Sequence, residues 1–172
     1  MNIHKISNNK ELLAFQNLYL KSFPEEERLD FELLKSKADE GRGNFLGLFD
    51  QQNLVGMIYY SEYQGTIYIF YFAIDQQLQS HGYGKIMLDY MFETFQQHKI
   101  ILLVEKINSK AENNEQRIRR KKFYLKNGFT SNQQFLQTLG LNFELIHREG
   151  NTAYVADYQK IREYFYSAAK ND

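Results

Sequence analysis

Gln79-Ser80-His81-Gly82-Tyr83-Gly84-Lys85 follows an apolar run, Ile67 to Ile74, and precedes a helical pattern. A strand that ends in a glycine-bearing loop and then opens a helix is suited to hold a phosphate. The helix N-terminus offers unpaired backbone N–H groups and about half a positive charge. Glycines at 82 and 84 leave out the side chains that would keep a pyrophosphate from the backbone. The stretch points to a nucleotide-containing cofactor, against the plainer reading of a glycine-bearing turn that holds no ligand.

Two common phosphate loops do not fit. The dinucleotide fingerprint needs a third glycine where Met87 stands. The Walker pattern needs a glycine five positions before Gly84 and a Ser or Thr after Lys85, and has neither. The pattern that remains is (Gln/Arg)-x-x-Gly-x-(Gly/Ala), filled here by Gln79, Gly82 and Gly84.

Composition narrows the classes. A chain of 172 residues suits a single domain with a substantial core. Its 21 basic and 21 acidic residues cancel, so no global field draws it to nucleic acid or to an anionic membrane. With no cysteine there is no disulfide framework, thiolate zinc site or cysteine nucleophile. His4, His98 and His147 are too scattered to suggest a metal, and none is expected. The apolar run Ile67–Ile74 is far below the ~20 residues that span a bilayer. Met1-Asn2-Ile3-His4-Lys5 lacks the apolar core of a secretory signal, and a cytoplasmic protein is expected.

Periodicity gives the element order. Asn8 or Asn9 caps a helix over about Lys10–Lys21, striped by Leu12, Leu13, Phe15, Leu18 and Tyr19. Pro24 interrupts, and a second helix runs from about Asp30 to Glu40, stopped by Gly41 and Gly43. Asn44–Phe49, Leu54–Tyr63 and Thr66–Ile74 read as an antiparallel meander. A helix from Tyr83 to about Gln97 and a buried strand, Ile100–Val104, complete a crossover that makes Thr66–Ile74 and Ile100–Val104 parallel. A helix over about Ala111–Lys126 stops at Asn127-Gly128. Strands Gln133–Leu139 and Leu141–His147 and a helix over about Tyr158–Ala169 finish the chain. The expected class is α+β, a three-layer α/β/α arrangement around a mixed sheet.

A second segment turns the pattern into a family resemblance. Glu105-Lys106-Ile107-Asn108 follows the buried strand, and Phe123-Tyr124-Leu125-Lys126-Asn127-Gly128-Phe129 closes the next helix. With Gln79–Gly84 and the element order, these resemble the GNAT superfamily of acetyl-CoA-dependent N-acetyltransferases over about residues 44–158. Ser22–Arg28 and the C-terminal strand-turn-helix resemble a bacterial branch of unassigned substrate.

The resemblance implies a mostly antiparallel sheet whose central parallel pair splays to hold acetyl-CoA. One domain, 1–172, would comprise substrate-side helices (1–43), a cofactor core (44–130) and C-terminal strands and helix (131–172). Backbone groups of Phe72, Ala73 and Ile74 would pair with the two amides of pantetheine as with an added strand. Gln79, Ser80, His81, Gly82, Tyr83 and Gly84 would wrap the pyrophosphate, with Lys85 adding charge. Asn108 would touch the pantetheine end, and Tyr124 would sit beside the sulfur. Coenzyme A as co-substrate and a small-molecule or peptide amine as acceptor follow, in a monomer or homodimer.

The implied reaction is direct attack by a neutral amine on the thioester. Positioning and carbonyl polarisation supply most of the catalysis. Free phenol and thiol pKa values of about 10 and 8.5 make full proton transfer from Tyr124 uphill by roughly 2 kcal/mol. Hydrogen-bond stabilisation of the departing sulfur is therefore favoured over proton donation. Tyr124 also has a plain reading as a core aromatic, one of 13 tyrosines. A lysine-like amine needs a base, because neutralising it near pH 7.4 costs about 4 kcal/mol; Glu25, Glu26, Glu27 and Glu62 are the candidates. The Glu25–Arg28 cluster reads either as a cationic-acceptor site or as an exposed helix start. Arg117, Arg119, Arg120, Lys121 and Lys122 read as a solvated face, one or two of which could reach the coenzyme A 3′-phosphate. Two rival functions are an idle acyl-CoA-binding sensor and, lower, a nucleic-acid-binding domain.

Overall fold

The computed structural model describes residues 1–168; Ala169, the expected end of the last helix, lies outside the described residues. In chain order they form β1 (Asn2–Lys5), α1 (Asn9–Ser22), a 3-10 turn (Glu25–Glu27), α2 (Phe31–Asp39), β2 (Asn44–Asp50), β3 (Asn53–Tyr63) and β4 (Thr66–Ile74). A second 3-10 turn (Gln76–Leu78), α3 (Tyr83–Thr94), β5 (Lys99–Glu105), α4 (Asn114–Lys126), β6 (Phe129–Thr138), β7 (Leu141–Arg148) and α5 (Val155–Tyr166) follow. The strands hydrogen-bond in the order β1-β2-β3-β4-β5-β7-β6. Pairs β1–β2, β2–β3, β5–β7 and β6–β7 are antiparallel, and β4–β5 is parallel. The expected α+β class, a mixed and mostly antiparallel sheet with one parallel pair and flanking helices, is the class observed. β1 was not expected: four residues are too few to show a period, and pairing of Asn2–Lys5 with Leu46–Phe49 makes the strand.

Contacts divide the chain into two compact units. The first comprises Met1–Glu62, Ile69–Gln96 and, among the described residues, 165–168. Its core gathers Phe15, Leu18, Tyr19, Phe31, Leu34, Phe45, Met57, Tyr59, Tyr71 and Phe165. Many of these rings meet edge to face, as Phe15–Phe45 and Tyr19–Tyr71 do at 4.9 Å, a geometry worth about 0.5–1.5 kcal/mol beyond burial. The Asn8 side chain caps α1 by accepting from Glu11 N–H at 2.9 Å. Leu13 leaves the expected stripe and is 58% exposed. At about 100° per residue it lies roughly 200° around the helix from Phe15. Gly56 matters for packing: a Cβ there would come within 2.7 Å of Ile74 Cδ1 and 2.8 Å of Met87 Sδ. Its bareness lets α3 and the end of β4 close onto β3.

The second unit comprises Tyr63–Tyr68 and Gln97–Tyr164. Ile67, Ile100, Ile101, Leu102, Val104, Leu145, Ile146 and Ile161 are buried in it. The β4–β5 ladder sets Thr66, Ile67 and Tyr68 opposite Lys99, Ile100 and Ile101; β4 runs on to Ile74 in the first unit. β6 begins earlier than expected, at Phe129, because Gly128 in the left-handed region (φ 93°) turns the chain directly out of α4. A register shift between Ser131 and Gln134 interrupts its pairing with β7. In the aromatic tail, Tyr158 and Phe165 are core residues, whereas Tyr154 and Tyr166 are exposed.

Candidate functional site

The first unit contains the glycine turn. Phe72, Ala73 and Ile74 end β4 half-buried. The next residue, Asp75, fixes the exit: its N–H donates to the Val55 carbonyl at 2.9 Å and its carboxylate accepts from Gln77 N–H at 3.0 Å. Gln79 reaches back with its amide towards the Ile74 carbonyl at 3.5 Å. Ser80 and Gly82 both adopt left-handed backbone, with φ of 68° and 82°. The His81 Nδ1 lies 3.0 Å from the Leu78 carbonyl and 2.9 Å from that of Gln79. Two acceptors require a donor, so this nitrogen carries a proton. The ring stacks at 6.0 Å on Tyr83 and thereby braces the turn.

What this turn presents is the start of α3. The first helical bond runs from Ile86 N–H to the Gly82 carbonyl, at 3.2 Å. The N–H groups of Tyr83, Gly84 and Lys85 precede that ladder, and no side chain caps the helix. A Cβ at residue 82 would meet no atom within 4 Å. Gly82 is therefore required by its φ rather than by crowding, and the space before the amides is open, as a diphosphate needs. Lys85 is exposed and pairs with Asp89 at 2.6 Å, an exposed i,i+4 pair worth little and readily exchanged for a phosphate.

Glu26 and Glu62 belong to the same unit. Both are exposed. Glu26 rides on the 3-10 turn Glu25–Glu27, which two tyrosines hold. Tyr71 of β4 donates to the Glu27 carbonyl at 3.0 Å and accepts from Leu29 N–H at 2.8 Å. Tyr19 donates to the Leu29 carbonyl at 2.5 Å. Glu62 follows the buried Ser61 at the end of β3. Burial, then the charge of Glu62, holds the Tyr60 phenol well above its ordinary pKa.

The second unit contains Asn108 and Tyr124. Asn108 is engaged in its own loop: its side-chain oxygen accepts from Lys110 N–H at 3.0 Å, and its N–H donates to Asn114 at 2.8 Å. Tyr124, on the last turn of α4, is 7% exposed, with its ring between Phe123 and Phe129 at 5.4 and 5.6 Å. Burial pushes its phenol up to about 12, with Arg120 pulling the other way. The basic face of α4 is less solvated than expected. Arg117 bonds Glu105 at 2.7 Å, Asn113 at 2.8 Å and the Lys106 carbonyl at 2.9 Å. Lys121 pairs at 2.8 Å with Glu144, which is 2% exposed and also accepts from Ser131. Only Arg119, Arg120 and Lys122 of the five are exposed; the other two have partners far away in sequence that no local period reveals.

Residues Phe72–Lys85 thus form one continuous element, with Glu26 tied to its strand through Tyr71. Asp75 and Tyr71 were missed by sequence reasoning, and Arg117 was read as part of a solvated face; of the two missed residues, only the Asp-x-x start of a 3-10 turn left a readable signal. Among the described residues, no group of three or more His, Asp or Glu side chains could hold a metal ion. No helix among them is long and apolar enough to cross a membrane.

In the first unit, a strand end, a glycine turn and a helix N-terminus without a side-chain cap follow one another directly. The sequence model of the acetyltransferase (GNAT) family matches residues 12–129, and the chain belongs to that family. Among curated proteins no sequence match was found. Of solved structures, a GNAT-family protein from Bacteroides thetaiotaomicron is 27% identical, with a TM-score of 0.76 over 95% of each chain. An aminoglycoside 6′-N-acetyltransferase complexed with coenzyme A is 15% identical, with a TM-score of 0.67 over 86% of this chain and 96% of that one. The ribosomal-protein-S18-alanine N-acetyltransferase of Escherichia coli is 15% identical, with a TM-score of 0.62 over 88% and 95%. The last two likenesses speak for the fold.

Proposed function

We propose that this chain, as one domain over residues 1–172, moves an acetyl group from acetyl-CoA directly to a primary amine of a small molecule or peptide. The observation that carries the reading is the uncapped start of α3 at Gly82, open in front and flanked by Lys85. Acetyl-CoA would supply the acyl group as an activated thioester. Main-chain amides of Tyr83, Gly84 and Lys85 would bind its diphosphate, and the Phe72–Ile74 edge of β4 its amide-bearing arm. Asn108 would contact that arm, through its amide nitrogen, since its oxygen is engaged.

Tyr124 keeps its proton throughout the working pH range, because burial raises its pKa to about 12. Giving that proton fully to a thiolate would run uphill by about 5 kcal/mol, so its role is to donate a hydrogen bond. Exposed Glu62 or Glu26 would take the amine proton through water. The test is calorimetry with coenzyme A, followed by thiol release across a panel of primary amines. Binding with amine-dependent release supports the transferase. Binding without release for any amine assigns an idle sensor instead, and no binding removes both.

A further inference from the structure

Arg117, Arg120 and Tyr124 recur at spacings of three and four along α4, which puts them on one face of the helix. The first guanidinium is fully engaged, by Glu105, Asn113 and the Lys106 carbonyl. Arg120 differs. It is exposed, and among the described residues it makes no ion pair. Both arginines line a shallow, solvent-open depression with Val104, Glu105, Asn113 and Gln116. Its one carboxylate is matched by Arg117, so the depression carries one uncompensated positive charge, on a group whose planar fork suits a bidentate oxyanion.

We infer that this depression receives an oxyanion of the acceptor: the amine to be acetylated carries a carboxylate or phosphate beside its amino group. This rests on the transferase reading, in which Tyr124 stands at the sulfur. Arg120 lies about one helical turn, ~6 Å along the axis, from Tyr124. The phosphates of coenzyme A lie a whole pantetheine arm from that sulfur, and the α3 turn is there to take the diphosphate. An anion at Arg120 is therefore the acceptor's, close enough to orient its amine for attack.

The direct test follows the Arg120 side-chain Nε resonance, assigned by its loss in Arg120→Gln, during titration with acetate, inorganic phosphate and acetamide. Saturable movement with the two anions and none with acetamide is expected. A resonance indifferent to both anions overturns the inference. So does one that moves with coenzyme A but not with 3′-dephospho-coenzyme A, which would give the depression to the cofactor. Kinetics supply the second arm, using amino acids and their carboxamides as matched acceptors. Arg120→Gln should raise KM for the carboxylate member ~10-fold or more and leave the carboxamide unchanged, with Arg119→Gln as the exposed control. Equal KM values within pairs in the unmodified protein refute the acceptor class. Calorimetry with coenzyme A on the same sample separates the two readings: without binding the transferase falls, whereas binding beside an unresponsive Arg120 sinks only the anionic acceptor.

Discussion

The phenol of Tyr71 donates to the main-chain carbonyl of Glu27 at 3.0 Å, which ties the acidic turn to the strand bearing Phe72–Ile74. The same oxygen accepts from Leu29 N–H at 2.8 Å. Tyr71→Phe removes both bonds without opening a cavity. A loss of about 1–3 kcal/mol is expected, because two partly buried backbone groups lose their partner. Urea unfolding should show a lower midpoint at unchanged m.

Gly82→Ala tests the glycine turn cleanly. No clash arises, so only the left-handed φ of 82° is penalised, by about 1–2 kcal/mol. The added methyl stands in the open space before the α3 amides. Affinity for coenzyme A, by calorimetry, should fall further than thermal stability does. An equal affinity in the variant would show that nothing binds there.

Tyr124→Phe should lower kcat at least 10-fold and leave the affinity for coenzyme A nearly unchanged, since the phenol acts at the reacting end. With its pKa pushed up to about 12, no fall in rate from its ionisation is expected between pH 7 and 10. A basic limb near pH 8.5 that disappears in Tyr124→Phe would contradict this role.

Burial raises the phenol pKa of Tyr19, Tyr59, Tyr60, Tyr71, Tyr124 and Tyr158. Above the unfolded value of about 10, the unfolded chain loses these protons while the native one keeps them. Their stabilisation is complete below that pH and is lost as pH rises towards the native values. Each tyrosine contributes a slope of up to about 1.4 kcal/mol per pH unit. Urea midpoints should be level from pH 8 to 9.5 and drop steeply by pH 11.

Lys121→Ala strands the buried carboxylate of Glu144 and should cost about 2–4 kcal/mol. Lys122→Ala, one residue on and exposed, should fall within about 0.5 kcal/mol of the parent. Paired denaturation curves decide it.

What could be read from sequence was local. The Gln79–Lys85 turn, the Asn8 cap and the Gly128 stop each lie within a few residues of the structure they specify. Arg117 with Glu105, Lys121 with Glu144 and Tyr71 with Glu27 join residues 12, 23 and 44 positions apart. No period of two or 3.6 encodes such partners, so the α4 face looked solvated. β1 is invisible for a related reason: it exists through β2's edge rather than through its own residues.

Ser80 has the longest reach of these details. A serine held at φ 68° stores strain that glycine or asparagine would relieve, so the chain forgoes easy thermal robustness at this residue. In return, the bend exists before any ligand arrives, and little disorder remains to be quenched on capture. Selection for heat tolerance should therefore favour glycine or asparagine at position 80.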